Sequence, residues 1–157
     1  MCIVIDINVF PIVFDSRHKE HSKFIDLFRW ITTGRGFIVF GGTHYLKELK
    51  GIRSYLRFIT ELDRSGRARR LIDELVDKEE KLVQKIINSN DCDDCHLIAI
   101  VRVSGCRLIC SNDRRADKYL KNGKYYPKQQ KAPHIYRDNS HKRLLCNKNI
   151  CDIKNVK

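Results

Sequence analysis

Four acidic side chains lie beside predicted strands and helices, where they could hold a metal ion together. Asp6 directly follows a short apolar run, Asp113 follows another after two polar residues, and Glu48 lies on a helix that follows a third. Asp94 begins a short apolar helix. Carboxylates that converge repel one another unless a cation offsets their charge, and Mg²⁺ or Mn²⁺ prefers such oxygen ligands. Each acid taken alone is equally explained as a helix cap, a turn residue or a solvated side chain.

The apolar runs at 2–5, 37–40 and 107–110 predict strands that are buried on both faces. Helical spacing fills the intervals between them, and a short helix at 116–120 and a short strand at 135–136 are expected near the end. The order β-α-β-α-α-α-β implies parallel strands joined by right-handed crossovers. We therefore expect an α/β fold, a three-layer α/β/α sandwich with a mostly parallel central sheet.

Ligands of open parallel sheets bind outside the carboxyl ends of the strands. The predicted strands direct Asp6, Glu48 and Asp113 toward that edge. Asp94 starts the helix that leads into the third strand, and packing alone does not bring it to the same edge. Thr43 is the expected N-cap of the helix that carries Glu48.

The net charge of +12 is concentrated in the C-terminal third of the chain. Residues 114–157 contain 13 Lys and Arg against 3 Asp and Glu. Such a surface suits a polyanion, through phosphate neutralisation and counterion release, and it also suits a solvated lysine-rich tail. We expect one domain over residues 1–145 and a basic tail over 146–157.

Seven cysteines cannot all pair within one chain. We expect free thiols in a reducing compartment, with Cys2, Cys106 and Cys110 buried as small hydrophobes. A zinc site would need other partners for Cys92 and Cys95, and these could come from His96, His141, Cys146 and Cys151. No run of about 18 apolar residues is present and the N-terminus lacks a basic segment, so we expect a cytoplasmic protein without a membrane partner.

Five segments resemble the motifs of PIN-domain ribonucleases, in order and at fitting distances. They are VIDINV at 4–9, THYLKEL at 43–49, DDCHLIAIVRVSG at 93–105, CSND at 110–113 and IYRDNSHKRLL at 135–145. The first, with its strand and Asp-x-Asn, is similar to the opening motif of the family. The next three are similar to its later acidic motifs, and the last to the closing segment of one subgroup.

The resemblance implies a PIN-like fold and a metal-dependent endoribonuclease whose four acids hold one or two Mg²⁺ or Mn²⁺ ions. The ligands and catalytic residues would be Asp6, Glu48, Asp94 and Asp113. Asn8 and Ser111 would orient these carboxylates by hydrogen bonds, and Asp91, Asp93 and Asp117 are alternative acids. Many members carry Thr where this chain has Ile7 and Ser111, which affects how the carboxylates are oriented.

The implied substrate is single-stranded or structured RNA, cleaved to leave a 5′-phosphate, and the implied partners are an antitoxin protein or a second copy of the chain. Basic residues that could contact RNA lie in a predicted loop and after the third strand; they are Arg64, Arg67, Arg69, Arg70, Arg114, Arg115 and Lys118. Two alternatives remain. One is a PIN-fold module that binds RNA without cleaving it. The other is a haloacid-dehalogenase-like phosphatase, which Asp6-x-Asn8 suits less well because the second Asp of that motif is missing.

Overall fold

A computed structural model describes residues 1–88, 92–149 and 156–157. Its centre is a sheet of five parallel strands in the order β3-β2-β1-β4-β5. The strands are β1 (Cys2–Ile5), β2 (Phe37–Phe40), β3 (Ala68–Arg70), β4 (Leu108–Cys110) and β5 (His134–Tyr136). Helices flank the sheet, so the predicted α/β/α sandwich with a parallel central sheet is confirmed.

The described residues form seven α-helices, and several short 3-10 helices connect them to the strands. The helices are α1 (Phe10–Phe14), α2 (Ile25–Thr32), α3 (Thr43–Gly51), α4 (Arg53–Arg64), α5 (Asp73–Ile87), α6 (Cys95–Ser104) and α7 (Asp117–Leu120). None of the described helices is both long and apolar enough to cross a membrane.

Strand β1 is the middle strand and is buried at every residue, as its unbroken apolar run predicts. It pairs with β2 on one side and with β4 on the other. The chain runs outward from β1 to β2 and β3 and then returns to add β4 on the other side of β1. The switch point of the sheet therefore lies between β1 and β4, and in parallel sheets ligands bind at this point. The backbone N–H of Asp6 donates to the carbonyl of Cys110 (2.9 Å), which brings the two strand ends together.

Helix α6 follows its prediction closely. It spans Cys95–Ser104 and ends at Gly105, whose φ of +66° lies in the left-handed region that favours glycine. Leu97, Ile98 and Val101 are fully buried. The unit of helix and strand that ends at β4 therefore lies in the core.

The segment that contains Arg69 and Arg70 was predicted as a loop, and this prediction is wrong. It forms β3, an edge strand that pairs with β2 from Ile38↔Ala68 to Phe40↔Arg70. An edge strand needs only one hydrogen-bonded neighbour and tolerates charged side chains. Ala-Arg-Arg therefore lacks the apolar run that marks a central strand.

Helix α3 begins differently from the prediction, because its N-cap is Gly42 rather than Thr43. Gly42 has φ +86° and its N–H donates to Asp73 Oδ1 (3.0 Å). Thr43 is the first helical residue, and its N–H and Oγ1 donate to the carboxylate of Asp77 (2.7 and 2.6 Å). Two acids at the start of α5 thus hold the turn that sets the direction of α3.

The single tryptophan, Trp30, packs where the chain enters β2. The N–H of Gly36 donates to the carbonyl of Trp30 (2.9 Å), and a Cβ atom at Gly36 would overlap the indole ring. This contact lies at the amino end of β2, at the opposite edge of the sheet from Asp6.

One cysteine is disulfide-bonded, and the end of the basic tail pairs with the edge of the sheet. Cys2 is disulfide-bonded, so the expectation of a free thiol there is wrong, because a count of cysteines does not reveal which of them lie within bonding distance. The free thiols are Cys92, Cys95, Cys106, Cys110 and Cys146, and Cys151 lies outside the described residues. At the end of the tail, Val156 pairs antiparallel with Leu71 beside β3.

Candidate functional site

Asp6 lies at the carboxyl end of β1, and its carboxylate is held by one hydrogen bond to each oxygen. The Ser111 hydroxyl donates to Oδ2 (2.8 Å), and the backbone N–H of Asn8 donates to Oδ1 (3.0 Å). Asn8 contributes through its backbone, and the residue itself is exposed. Burial raises the pKa of Asp6, whereas these two hydrogen bonds oppose the rise. The carboxylate therefore has a fixed orientation at the switch point.

Asp113 follows β4 and is partly exposed to solvent. Its N–H donates to the Ser111 hydroxyl (3.2 Å), which in turn donates to Asp6. Its carboxylate accepts from the backbone N–H of Arg115 and from the guanidinium (both 2.8 Å). The hydrogen bonds from Arg115 lower the pKa of Asp113. Ser111 thus connects the ends of β1 and β4.

Asp94 and Glu48 lie close enough to the other acids to be affected by their charges. Burial raises the pKa of Asp94 to about 6, and the charges of Asp6, Asp113 and Glu48 add to that rise. Burial also raises the pKa of Glu48, and the charge of Asp6 adds to it. The fold therefore gathers all four acids into one region, which we call the acid cluster, and their mutual repulsion favours a cation there.

Tyr45 fixes the distance between α3 and the end of β1, and no sequence pattern had singled it out. Its side chain is fully buried, and its hydroxyl donates to the carbonyl of Ile5 (2.7 Å). Ile5 immediately precedes Asp6, and Tyr45 is one helical turn before Glu48. The hydrogen bond therefore ties one acid-bearing element to the other.

The ligand atoms of another group lie closer together than those of the acid cluster, and this group was not expected from the sequence. The group consists of His44, Glu80 and His96. One ligand atom from each of these side chains lies within 4.8 Å of the other two, and no other set of three or more metal-binding side chains among the described residues meets this distance. The four carboxylates of the acid cluster do not meet that distance. Glu80 lies on α5, far along the chain, and only the fold brings it to the two histidines.

Glu48 joins this group to the acid cluster. Its Oε1 lies 3.5 Å from His44 Nε2 and its Oε2 lies 3.5 Å from His96 Nε2. His44 Nδ1 lies 2.8 Å from Glu80 Oε1, and the two imidazole rings are 4.4 Å apart between centroids. Burial lowers the pKa of His96 to about 3, so this imidazole is neutral at physiological pH. We call these four side chains (His44, Glu48, Glu80 and His96) the histidine cluster.

A cavity of about 340 Å³ opens beside the acid cluster and has both acidic and basic walls. It is lined by Asp93, Asp94, Asp113, Arg115, Ala116, Lys118 and Tyr119. A neighbouring depression of about 240 Å³ includes Arg114 and Arg137 in its lining. Basic and acidic side chains thus lie side by side in the walls of both depressions.

The remaining predicted residues lie in several places. Asp117 pairs with Arg137 and with Lys121 (2.8 Å), and its carboxylate is occupied by these cations. Asp93 lines the cavity, whereas Asp91 lies outside the described residues.

The arginines near β3 make contacts within the fold. Arg67 donates to the carbonyl of Gly34, Arg70 pairs with Asp73, and the guanidinium of Arg69 lies 4.9 Å from the centre of the Phe37 ring. Arg64 is exposed at the end of α4. These contacts give three of the four arginines a structural role at the sheet edge.

Comparison with known proteins finds no relative: the chain matches no protein-family model, no curated protein and no solved structure. The fold and the site define its class as an open parallel α/β protein with carboxylates at the switch point of the sheet. What it does has to be inferred from those features.

Proposed function

We propose that the chain is a divalent-metal-dependent endoribonuclease of the PIN-like class. The observation that carries this proposal is the electrostatic coupling of Asp6, Glu48, Asp94 and Asp113 at the carboxyl edge of the sheet. Two of these side chains follow strand ends, one lies on α3 and one caps α6, and they are far apart in sequence. Carboxylates that repel one another favour the binding of a cation, and such clusters are typical of functional sites.

The residues fit Mg²⁺ or Mn²⁺. The donors of the acid cluster are carboxylate oxygens, which these hard ions prefer. Asp6 is oriented by Ser111 and by the backbone of Asn8, and oriented carboxylates bind metal more tightly. Burial raises the pKa of Asp6, Glu48 and Asp94, and the charges of neighbouring acids add to the rise, so a dication would stabilise their ionised forms.

The protein side chains would divide the work as follows. Asp6, Glu48 and Asp94 would hold the ions, and Asp113 would complete the set while Arg115 orients it. Arg115 and Lys118 lie at the cavity and would attract the phosphates of RNA. Bound ions would activate a water for attack and offset charge on the phosphate and the leaving oxygen.

The arrangement around Asp6 favours this role over that of a phosphatase nucleophile. Its carboxylate is 3% exposed and each of its oxygens accepts a hydrogen bond. A nucleophilic aspartate needs an open oxygen that can reach the phosphorus atom. Detection of a covalent aspartyl phosphate on Asp6 would nevertheless establish the phosphatase alternative.

The test is cleavage of a fluorescently labelled RNA by the purified chain with Mg²⁺ or Mn²⁺. We expect products with a 5′-phosphate, loss of cleavage with EDTA, and loss of about 10²-fold or more in rate in Asp6→Asn. Asp63→Asn, at an exposed acid on α4, is the matched control and should cleave normally. Growth arrest on expression of the wild type, relieved in Asp6→Asn, would support a toxin paired with an antitoxin.

A binding module without cleavage is the second candidate. The separation of the four carboxylates, which do not close to within 4.8 Å in the described part of the chain, favours it. If the wild type binds RNA and cuts none under any divalent ion, the binding module replaces the nuclease.

A further inference from the structure

Three helices converge on the histidine cluster. α3 supplies His44 and Glu48, one turn apart on the same face, α5 supplies Glu80, and α6 supplies His96. His96 and Glu80 are buried, and His44 and Glu48 are half-buried at the rim. A depression of about 530 Å³, lined by His44 and Glu80 among others, connects the cluster to solvent.

Among the residues that the structure describes, none donates a hydrogen bond to the Nε2 atom of either histidine. His44 Nδ1 faces Glu80 Oε1 at 2.8 Å and His96 Nδ1 faces the carbonyl of Asp93 at 3.3 Å. Both partners can only accept, so the ring proton of each neutral imidazole belongs on Nδ1. Each Nε2 lone pair then faces a carboxylate oxygen of Glu48 at 3.5 Å, which is beyond normal hydrogen-bond length.

The nitrogen lone pairs and the carboxylate repel one another, and a metal ion bound between them would offset this repulsion. Zinc binds imidazole nitrogen and carboxylate oxygen at about 2.0–2.2 Å, so the ligand atoms of a tetrahedral site lie about 3.4 Å apart. The two separations of 3.5 Å, one to each oxygen of Glu48, are close to that spacing. Glu48 is not in the group whose single ligand atoms all lie within 4.8 Å, so its half-exposed side chain would rotate to bring one oxygen between the two histidines. Two histidines and one glutamate also make up a donor set of open zinc sites, where the fourth position is left to water or substrate.

The partners of the two Nδ1 atoms support the same interpretation. Histidine ligands usually donate their other N–H to a carboxylate or a backbone carbonyl, which fixes the tautomer and the orientation of the ring. Glu80 is such a carboxylate for His44, and Asp93 provides such a carbonyl for His96. Glu80 is itself held by Gln84 Nε2, at 3.3 Å.

We propose that His44, His96 and Glu48 bind a transition-metal ion of the Zn²⁺ type, with Glu80 orienting His44. The site is separate from the acid cluster but shares Glu48 with it. The inference does not depend on ribonuclease activity, because the donor set selects the ion whether or not RNA is cleaved. Mg²⁺ fits poorly, since it prefers oxygen ligands to imidazole.

The test is calorimetric titration of the full, metal-stripped chain with Zn²⁺ in excess Mg²⁺, with Co²⁺ absorption as a second readout. We expect one saturable Zn²⁺ site and, for Co²⁺, visible absorption bands typical of four-coordination. His44→Asn should lose at least about 10-fold in affinity, and Glu80→Gln should lose about 10–100-fold. His134→Asn, at an exposed histidine on β5, is the matched control and should bind as the wild type does.

His44 is half-buried, so its replacement should leave the fold intact, and circular dichroism checks this. Absence of a saturable Zn²⁺ site, or wild-type affinity in His44→Asn, would overturn the proposal and leave a hydrogen-bonded His–Glu network. Binding that is lost on alkylation of Cys92 and Cys95 but kept in His44→Asn would also overturn it.

Asp6→Asn separates this inference from the proposed nuclease. That variant lacks an acid-cluster ligand but keeps the histidine cluster, so it should bind Zn²⁺ normally while cleaving no RNA. Zinc binding by a chain that cuts no RNA would sustain this inference and refute the nuclease. RNA cleavage by a chain without a Zn²⁺ site would do the reverse.

Discussion

Asp94 is partly buried beside other acids, which disfavours its ionised form in the folded chain. The stability of the fold should therefore depend on pH. Its pKa rises from 3.8 to about 6 because of burial and the neighbouring acids. The folded chain therefore holds a proton that the unfolded chain releases between about pH 4 and 6, and stability falls as pH rises through that window. A shift of this size is equivalent to about 3 kcal/mol as an upper estimate.

Asp94→Asn removes this penalty. Without metal, the free energy of unfolding of the variant should exceed that of the wild type by an amount that grows from pH 4 to pH 7, reaching about 1–3 kcal/mol. Urea denaturation in EDTA across this range measures the difference. Mg²⁺ at pH 7 should stabilise the wild type and leave the variant unchanged. A difference that stays constant with pH would show that the pKa of Asp94 is not raised in the folded chain.

At the scale of the elements, the turn between β2 and α3 sets the position of both clusters. Gly42 has φ +86°, and a Cβ atom there would lie 2.6 Å from Val76 Cγ1 on α5. Gly42→Ala should therefore cost about 2–4 kcal/mol of stability, from backbone strain and overpacking together. Thermal or urea unfolding measures this loss.

Gly66 provides the control for that variant. It also has positive φ (+72°), but a Cβ atom there would meet nothing within 4 Å. Gly66→Ala should cost only about 1–2 kcal/mol, from the left-handed backbone alone. Equal losses in the two variants would mean that contact with α5 does not constrain the turn.

The elements also show what could be predicted from sequence. β1, β2 and α6 were predicted because continuous apolar runs and a glycine stop are local signals, and burial on both faces follows from them. β3 was missed because an edge strand carries no such run. Asp6 and Asp113 could be assigned to one sheet edge by strand direction alone, whereas Glu80 joins the histidine cluster through contact between α3, α5 and α6. Packing of that kind has no local signature.

At the scale of the whole molecule, charge is distributed so that a polyanion would approach the acid cluster. Arg115 and Lys118 line the cavity, within the C-terminal third that carries most of the net positive charge. Removing residues after Tyr136 would be a poor test of this, because Asn139 is part of the fold. Its side chain donates to Ser22 (2.9 Å) and accepts from the N–H of Asp26 (3.2 Å).

Arg115→Gln combined with Lys118→Gln is a better test. Each lost contact with a single-stranded phosphate reduces the slope of log affinity against log salt by about 0.7, so the double variant should bind RNA more weakly and with a slope about 1.4 shallower. Fluorescence anisotropy at several salt concentrations measures both. Arg53→Gln combined with Arg57→Gln, at two exposed arginines of α4, controls for the same loss of net charge. An unchanged slope in the double variant would remove these two residues from the RNA interface.

Trp30 makes the intrinsic fluorescence of the chain a reporter of folding that does not respond to the site. The indole packs against Gly36 at the amino end of β2, and the four residues of that strand, about 13 Å in length, separate it from the carboxyl edge. Its emission should shift to the red when the α2–β2 unit opens. Added Mg²⁺, Zn²⁺ or RNA should leave it unchanged, so one optical signal compares the folding of all these variants without interference from their ligands.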